Sequence, residues 1–434
     1  MKKLLFLSAV ISVFLSACAP DDDIINIVDE SETCDTTFLP IVMCHGFLAS
    51  GDTYSKQAQR FLQNNYCGVS IYVFDWNSLE GGSNVEALDA FIEGVLARTG
   101  ASQVELAGHS AAGGLGYDYL ADATRAAKVA HYVHLGSSPQ TAPAGPNGEV
   151  PTLNIWSPYD AIVAGADIPG AQNVQLAGKD HYEVATSPET FEAMFQFFRG
   201  TASASSVIIS DNVRAVGGKV LTLGENEPLV GATVHVFEVD GATGLRIANE
   251  PLITYTTNEY GQWGCFNAEE GAFYEFEVTP AEASGRKLHY YREPFLTSDN
   301  IVYLRAMPPA SSLAGILLAS LPADDEQAVI IAFASSQAVI TGRDELFANS
   351  VELSTPEFAS ADNTSIAFFL YDNGNGQTDA NAVGLFGSLS FLSGVDVFFP
   401  TIETQAITLT FNQRTLNVRN WPSESEGLTI GVFD

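Results

Sequence analysis

The sequence predicts an α/β unit, with a mostly parallel sheet and helices on both faces, followed by two all-β, sandwich-like regions. Three observations predict it. Between Phe38 and about Gly200, strand-like and helix-like segments alternate. The strand candidates there are apolar throughout, which is the pattern of a sheet covered on both faces rather than of one with a wet side. After Thr201 helical periodicity vanishes, and short β-branched runs separated by Gly, Pro and Asn take over.

In the first unit, residues 38–201, the predicted strands are 38–44, 69–75, 104–108, 130–136, 152–157 and 173–178. The predicted helices are 54–65, 85–99, 111–125 and 188–199. In the second of these, Val85, Leu88, Phe91, Val95 and Leu96 recur at helical spacing and form one apolar stripe. Residues 206–305 carry strand candidates at 216–223, 232–239, 252–257 and 273–279. Pro308-Pro309-Ala310-Ser311-Ser312-Leu313 reads as a linker opening a third region, 306–434, with apolar runs such as AVIIAF and AITLTF. Only Thr141 to Pro151 separate the strand region after residue 136 from the next strand, so no large cap domain fits there.

Composition narrows the function. Nineteen Lys and Arg against 52 Asp and Glu give a net charge of −33. Nucleic-acid binding needs basic surface to displace counterions, and this chain lacks it. Docking on anionic lipid by charge is disfavoured for the same reason. A neutral substrate fits, and an anionic product would be driven outward.

The first 18 residues, MKKLLFLSAVISVFLSAC, place two lysines before an apolar run from Leu4 to Leu15. That run is too short to span a bilayer and reads as an export signal. Its end, Leu15-Ser16-Ala17-Cys18, looks like a bacterial lipobox, which implies lipidation of Cys18. Ala19 follows the Cys, which favours an outer-membrane or cell-surface address with the lipid on Cys18 as the membrane contact. Residues 19–37 are acidic and aperiodic, a solvated tether. Export leads to an oxidising compartment, where disulfides persist. Cys34 and Cys67 flank the first two predicted strands, and a bond between them is one reading; the sequence does not fix connectivity. Cys44 ends an apolar strand and reads as core.

The chemistry centres on Gly108-His109-Ser110-Ala111-Ala112, between a predicted strand and a predicted helix. A serine on such a turn has its Oγ held above the sheet, with the helix N-terminus beneath it. A serine hydroxyl is a poor nucleophile at neutral pH and needs a base, which in turn needs an orienting acid. Of the seven histidines, His181 lies in the loop after the last strand of the unit, where a base enters in the chain order Ser, Asp, His. Asp160 follows the preceding strand and is the candidate acid; Asp167 lies further out, and Asp180 adjoins His181 too closely to reach its Nδ1. The reaction also needs N–H donors aimed at the developing oxyanion. Ala111, next after the serine, and Phe47, in the His45-Gly46-Phe47 loop after the first strand, are the candidates, with His45 as a brace for that loop.

These motifs, PIVMCHGF, IYVFDWN, VELAGHSAAGG, IWSPYDAIV and GAQNVQLAGKDHYEV, occur in order over residues 38–199. Together they resemble the α/β-hydrolase lipases, in particular the minimal Bacillus-type bacterial lipases. The arrangement with β regions behind is also similar to an archaeal lipase bearing a C-terminal β domain. The resemblance implies hydrolysis of carboxylic esters, typically acylglycerols, through an acyl-serine, with Ser110 as nucleophile, His181 as base, Asp160 as acid, and Phe47 and Ala111 as oxyanion donors. Its alternatives are a short-chain carboxylesterase or polyester depolymerase and, in another class, a non-catalytic surface-binding protein. Many relatives have Met-Gly where this chain has Ala111-Ala112. Residues 206–305, through GGKVLTLGENEPLVGATVHVF and TTNEYGQWGCF, resemble a carboxypeptidase-regulatory or transthyretin-like β-sandwich.

No cofactor or metal motif is needed by this chemistry. Asp372 to Asp379 (DNGNGQTD) is the one segment with a calcium-loop flavour, but Tyr371 falls on the first position of the calcium frame, and a hairpin turn is the reading preferred here.

Overall fold

The computed structural model describes residues 34–434, apart from 81–83, 283–284, 363, 385, 387–388 and 403–404. The export signal, Cys18 and most of the tether therefore lie outside the described residues.

All six predicted strands of the first unit form: β1 (Ile41–Cys44), β2 (Ile71–Phe74), β3 (Val104–His109), β4 (Val129–Leu135), β5 (Thr152–Trp156) and β6 (Gln172–Gln175). They pair in the order β2-β1-β3-β4-β5-β6, parallel throughout. The helices are α1 (Ser55–Gln63), α2 (Val85–Thr99), α3 (Ala111–Leu120), α4 (Ala123–Ala126), α5 (Glu183–Thr186) and α6 (Pro188–Arg199). The predicted helix 111–125 is broken in two because the Asp122 carboxylate accepts the N–H groups of Thr124 and Arg125 and so starts a new helix.

Alternation along the strands serves both faces. In β1, Ile41 and Met43 pack with Phe61 of α1 and with Phe191, Met194 and Phe195 of α6. Val42 and Cys44 face the other way, onto Leu88 and Ile92 of α2 and Leu115 and Tyr119 of α3. Cys44 is buried and free, as its strand position implies. The Cys34–Cys67 bond is formed, with a Cα separation of 4.9 Å. It ties the segment before β1 to the one before β2.

The two β regions are joined rather than strung in series. Strands Thr233–Val239, Ile253–Thr256, Phe273–Thr279 and Leu288–Arg292 of the first share an eight-stranded sheet with Val329–Ala334, Ala367–Tyr371, Leu392–Asp396 and Leu428–Phe433 of the second. The seam is the parallel pair Leu288–Arg292 with Leu428–Phe433. The latter strand is apolar and buried end to end, yet only its pairing partners, distant in sequence, make it a strand. The linker after Met307 ends in a short helix, Leu313–Leu318, capped by Ser312 Oγ accepting from Gly315 N–H at 2.9 Å.

The hairpin expected at Asp372–Asp379 is not one. The strands on either side of that connection, Ala367–Tyr371 and Leu392–Asp396, run parallel, so the chain must cross over rather than turn back. The Asp372 carboxylate accepts backbone N–H groups from Gly374, Asn375, Gly376 and Gln377, which makes it the organiser of its own loop.

Candidate active site

The strand order changes direction at β1, with β2 on one side and β3 on the other. In an open parallel sheet the crevice at the carboxyl ends of such strands is where ligands bind. Four loops converge there: those after β1, β3, β5 and β6, which carry Phe47, Ser110, Asp160 and His181.

Ser110 sits at φ 56°, ψ −119°, between β3 and α3. A non-glycine residue rarely holds this strained conformation, and strain of this kind clusters at functional sites. The turn closes because of Gly108: a Cβ there would lie 2.4 Å from the Ala112 carbonyl oxygen. Ala112, where the familiar motif has glycine, is buried in the core between α2 and α3, so its methyl is accommodated by packing. Ala111 is the first residue of α3, so its N–H has no acceptor within the helix.

Asp160 and His181 are joined. His181 Nδ1 donates to Asp160 Oδ2 at 2.7 Å, and both side chains are buried. Burial by itself would raise the Asp160 pKa; the His181 contact and the N–H groups of Val163 and Ile162 outweigh it and hold the carboxyl below its ordinary value. Because the carboxylate takes the Nδ1 proton, His181 Nε2 is left with a free lone pair. Asp180 points away, and Asp167 accepts from the Trp156 indole at 3.0 Å. Neither competes for the imidazole.

His109 brings the His181 loop to the Ser110 turn. Its Nε2 donates to the His181 carbonyl at 2.9 Å, and the two rings are 4.6 Å apart. Burial, then the neighbouring His181, pushes the His109 pKa down to about 3, so this ring is a neutral strut. Among the described residues no hydrogen bond joins Ser110 Oγ to His181 Nε2. Such bonds tighten when substrate is bound.

The loop after β1 runs beside the serine. A Cβ on Gly46 would stand 3.1 Å from Ser110 Cβ and 3.3 Å from His109 Nδ1, so glycine is what permits the approach. His45, fully buried, holds the loop: its Nδ1 bonds the Gly46 carbonyl at 2.8 Å, and its own carbonyl accepts from the Trp76 indole at 2.9 Å. His131 and His134, both on β4, pair with Glu105 and Asn154.

Beside Phe47 and Tyr182 lies a cavity of about 210 Å³ whose far walls belong to the β regions, among them Met307, Leu318, Ile331 and Phe369. Its lining is mostly apolar side chains. Arg305, also on the wall, is neutralised by Asp52 and bonds Ser50 Oγ at 3.1 Å. The β regions thus wall a cavity beside the loop after β1, while Phe47 and Tyr159 stay exposed at the sheet edge.

This is an α/β-hydrolase fold. A family model described as the lipase C-terminal domain matches residues 211–309, and a second C-terminal-domain model matches 332–434. Among solved structures, the chain is similar to the Bacillus licheniformis lipase BlEst2, at 16% identity, covering 39% of this chain and 96% of that one, with a TM-score of 0.32. It is similar to the Bacillus subtilis carboxylesterase CesB at 12% identity, covering 39% and 86%, TM-score 0.30. The esterase RhEst1 from Rhodococcus sp. ECU1013 gives 17%, 39% and 94%, TM-score 0.31.

One further cluster of possible ligands among the described residues, Glu275, Glu277 and His289, lies in the eight-stranded sheet. Arg246 already supplies its positive charge, bonding Glu275 through both ends of the guanidinium fork and Glu277 at 2.7 Å.

Proposed function

We propose that this chain hydrolyses carboxylic esters of apolar acyl chains, with acylglycerols as the natural class, through an acyl-serine intermediate. The observation that carries the reading is the buried 2.7 Å Asp160–His181 bond at the sheet edge where the strained Ser110 turn stands. In the proposed reaction Ser110 Oγ attacks the ester carbonyl carbon while its proton passes to His181 Nε2. The carbonyl oxygen becomes an oxyanion facing the N–H groups of Phe47 and Ala111. Collapse breaks the carbon–oxygen bond, and His181 returns the proton to the leaving alcohol. Water repeats the sequence on the acyl-serine and releases the acid.

The cavity supports an apolar acyl chain over a charged substrate. It lies next to the oxyanion loop, and its one ion pair is internally neutralised. Phe47 and Tyr159, 44% and 65% exposed, give the rim an apolar character suited to a water-insoluble ester. A lipidated Cys18 would keep the enzyme at the membrane or cell surface. The Cys34–Cys67 bond agrees with an exported protein.

Hydrolysis of p-nitrophenyl esters from two to eighteen carbons tests the reading. The expected profile favours medium or long chains, and Ser110→Ala should lower turnover by on the order of 10⁴-fold or more with the fold retained. Near-normal turnover by that variant overturns the assignment. A profile confined to the shortest esters favours the carboxylesterase alternative.

A further inference from the structure

We infer that Asn226, from the first β region, is a positioning residue for the oxyanion loop: it holds His45 in the tautomer that turns the Phe47 N–H toward the Ser110 side of the loop. The inference rests on the hydrolase reading above.

The argument begins with His45. The Trp76 backbone N–H points at His45 Nε2 from 3.2 Å. A backbone N–H can only donate, so Nε2 must be the accepting nitrogen. The ring proton is then on Nδ1, from which it is given to the Gly46 carbonyl at 2.8 Å. Burial holds the His45 pKa below its ordinary value, so the ring carries that one proton. The Gly46 carbonyl and the Phe47 N–H belong to one peptide plane and point in opposite directions. Drawing the carbonyl back to the imidazole therefore faces the N–H away from it. Gly46 is the residue whose Cβ position touches Ser110, so the peptide so oriented is the one beside the nucleophile.

Asn226 completes this arrangement from a different part of the chain. Its Nδ2 lies 2.9 Å from the Ala49 carbonyl, 2.9 Å from the Trp76 carbonyl and 3.2 Å from His45 Nε2. Two of those neighbours are carbonyl oxygens, which fixes the amide orientation: the nitrogen, not the oxygen, faces the loop. The Trp76 N–H and the Asn226 amide, whose two hydrogens are shared among three acceptors, both face Nε2; this makes protonation of that nitrogen unfavourable and favours the Nδ1–H form. The same amide cross-links the loop after β1, through Ala49, to the one after β2, through Trp76.

Asn226 is itself held rigidly. It has φ 59°, a left-handed conformation that Asn tolerates better than most residues. Its N–H donates to the Thr222 carbonyl at 3.1 Å, and the next N–H, of Glu227, to Thr222 Oγ1 at 3.0 Å. The turn cannot drift from the hydrolase unit, because Lys219 and Tyr303 both bond Asp75 Oδ2, at 3.0 and 2.8 Å, while Asp75 Oδ1 accepts from Gly51.

The test uses Asn226→Asp, which keeps shape and backbone preference but removes the donors, and Asn226→Gly, which keeps the left-handed backbone and removes the amide. With p-nitrophenyl butyrate, both are expected to lose about 10- to 100-fold in kcat, part of the ~10²–10³-fold that loss of one oxyanion donor costs, with KM within threefold of wild type. Histidine ¹⁵N spectra of the wild type should show His45 protonated at Nδ1. Full kcat in both folded variants, beside an active wild type, overturns this inference and leaves the hydrolase reading standing. Absence of turnover by the wild type overturns that reading and this one with it. Should neither variant fold, the wild-type spectrum decides: a His45 protonated at Nε2 overturns the assignment.

Discussion

Arg343 Nη2 lies 3.0 Å from Asp180 Oδ2, one residue ahead of His181 in the chain. The same guanidinium reaches Glu183 at 2.8 Å and Asp344 at 2.8 Å. Asp180 also accepts from the Tyr182 and Glu183 N–H groups through Oδ1 and from Ala338 N–H through Oδ2. The loop that carries the candidate base is thus moored to the second β region on its far side, as the loop after β1 is moored to the first through Asn226. Both β regions take part in shaping the site, and a spacer role alone does not account for these contacts.

From that mooring, Arg343→Ala is expected to loosen the His181 loop. The Arg343 side chain is about a third exposed, at 32%, while Asp180 is almost wholly buried. The cost therefore falls between that of a surface and of a buried pair, about 1 to 3 kcal/mol of stability. Turnover should fall by roughly 10-fold, as misplacement of a catalytic group lowers effective concentration, with KM little changed and partial recovery in Arg343→Lys. Denaturant unfolding and steady-state kinetics on the same variants check both parts. A stability loss with kcat intact would mean the mooring holds the fold and not the base.

Stability against acid has an origin in the eight-stranded sheet. Burial alone would raise the Glu275 pKa, but Arg246 and His289 bring it down to about 2. An unfolded glutamate titrates near ~4.3, so as pH falls the unfolded chain takes up this proton first. The contribution is present in full above about pH 5 and is lost as pH falls toward 2, a change of roughly 3 kcal/mol. Protonation of the many other carboxylates relieves the −33 net charge over the same range and works in the opposite direction. The measurement is therefore a difference: urea unfolding of wild type and Glu275→Gln from pH 2 to 7. The gap between them should shrink toward acid, and a constant gap would refute the assignment.

How much of this could be read from the sequence follows from the range of the interactions. The elements of the first unit were legible because each is set by local pattern, such as the stripe of Val85, Leu88 and Val95 or the apolar run of β1. Ser110, Asp160 and His181 were legible because each sits in a loop whose place is fixed by strand order. Leu428–Phe433 was not, since Gly431 interrupts its run of strand formers and its place in the sheet is set by partners far upstream. Asn226 and Arg343 were missed for the same reason. Nothing in the chain order says that the Asn226 amide docks against His45. His109 is simply the residue before Ser110 in the chain, and only the fold shows it donating to the His181 carbonyl.

The cavity makes a prediction about chain length. Ala314, on the short helix after the linker, and Leu318, one turn on, line it on the side of the β regions, while Phe47 and Tyr182 line it near the candidate triad. An acyl chain entering beside Phe47 would fill it from the carbonyl outward, so its distal carbons meet Ala314 and short chains end before it. Ala314→Phe should then leave a four-carbon ester within about threefold of wild type. For a sixteen-carbon ester, excluding about four methylenes forfeits ~0.8 kcal/mol each, or roughly 3 kcal/mol, which is on the order of 10²-fold in kcat/KM. The preferred length should shift to shorter chains, read from the p-nitrophenyl ester series. Equal losses at four and sixteen carbons would point to a folding defect, and no loss at either would place the acyl chain somewhere other than this cavity.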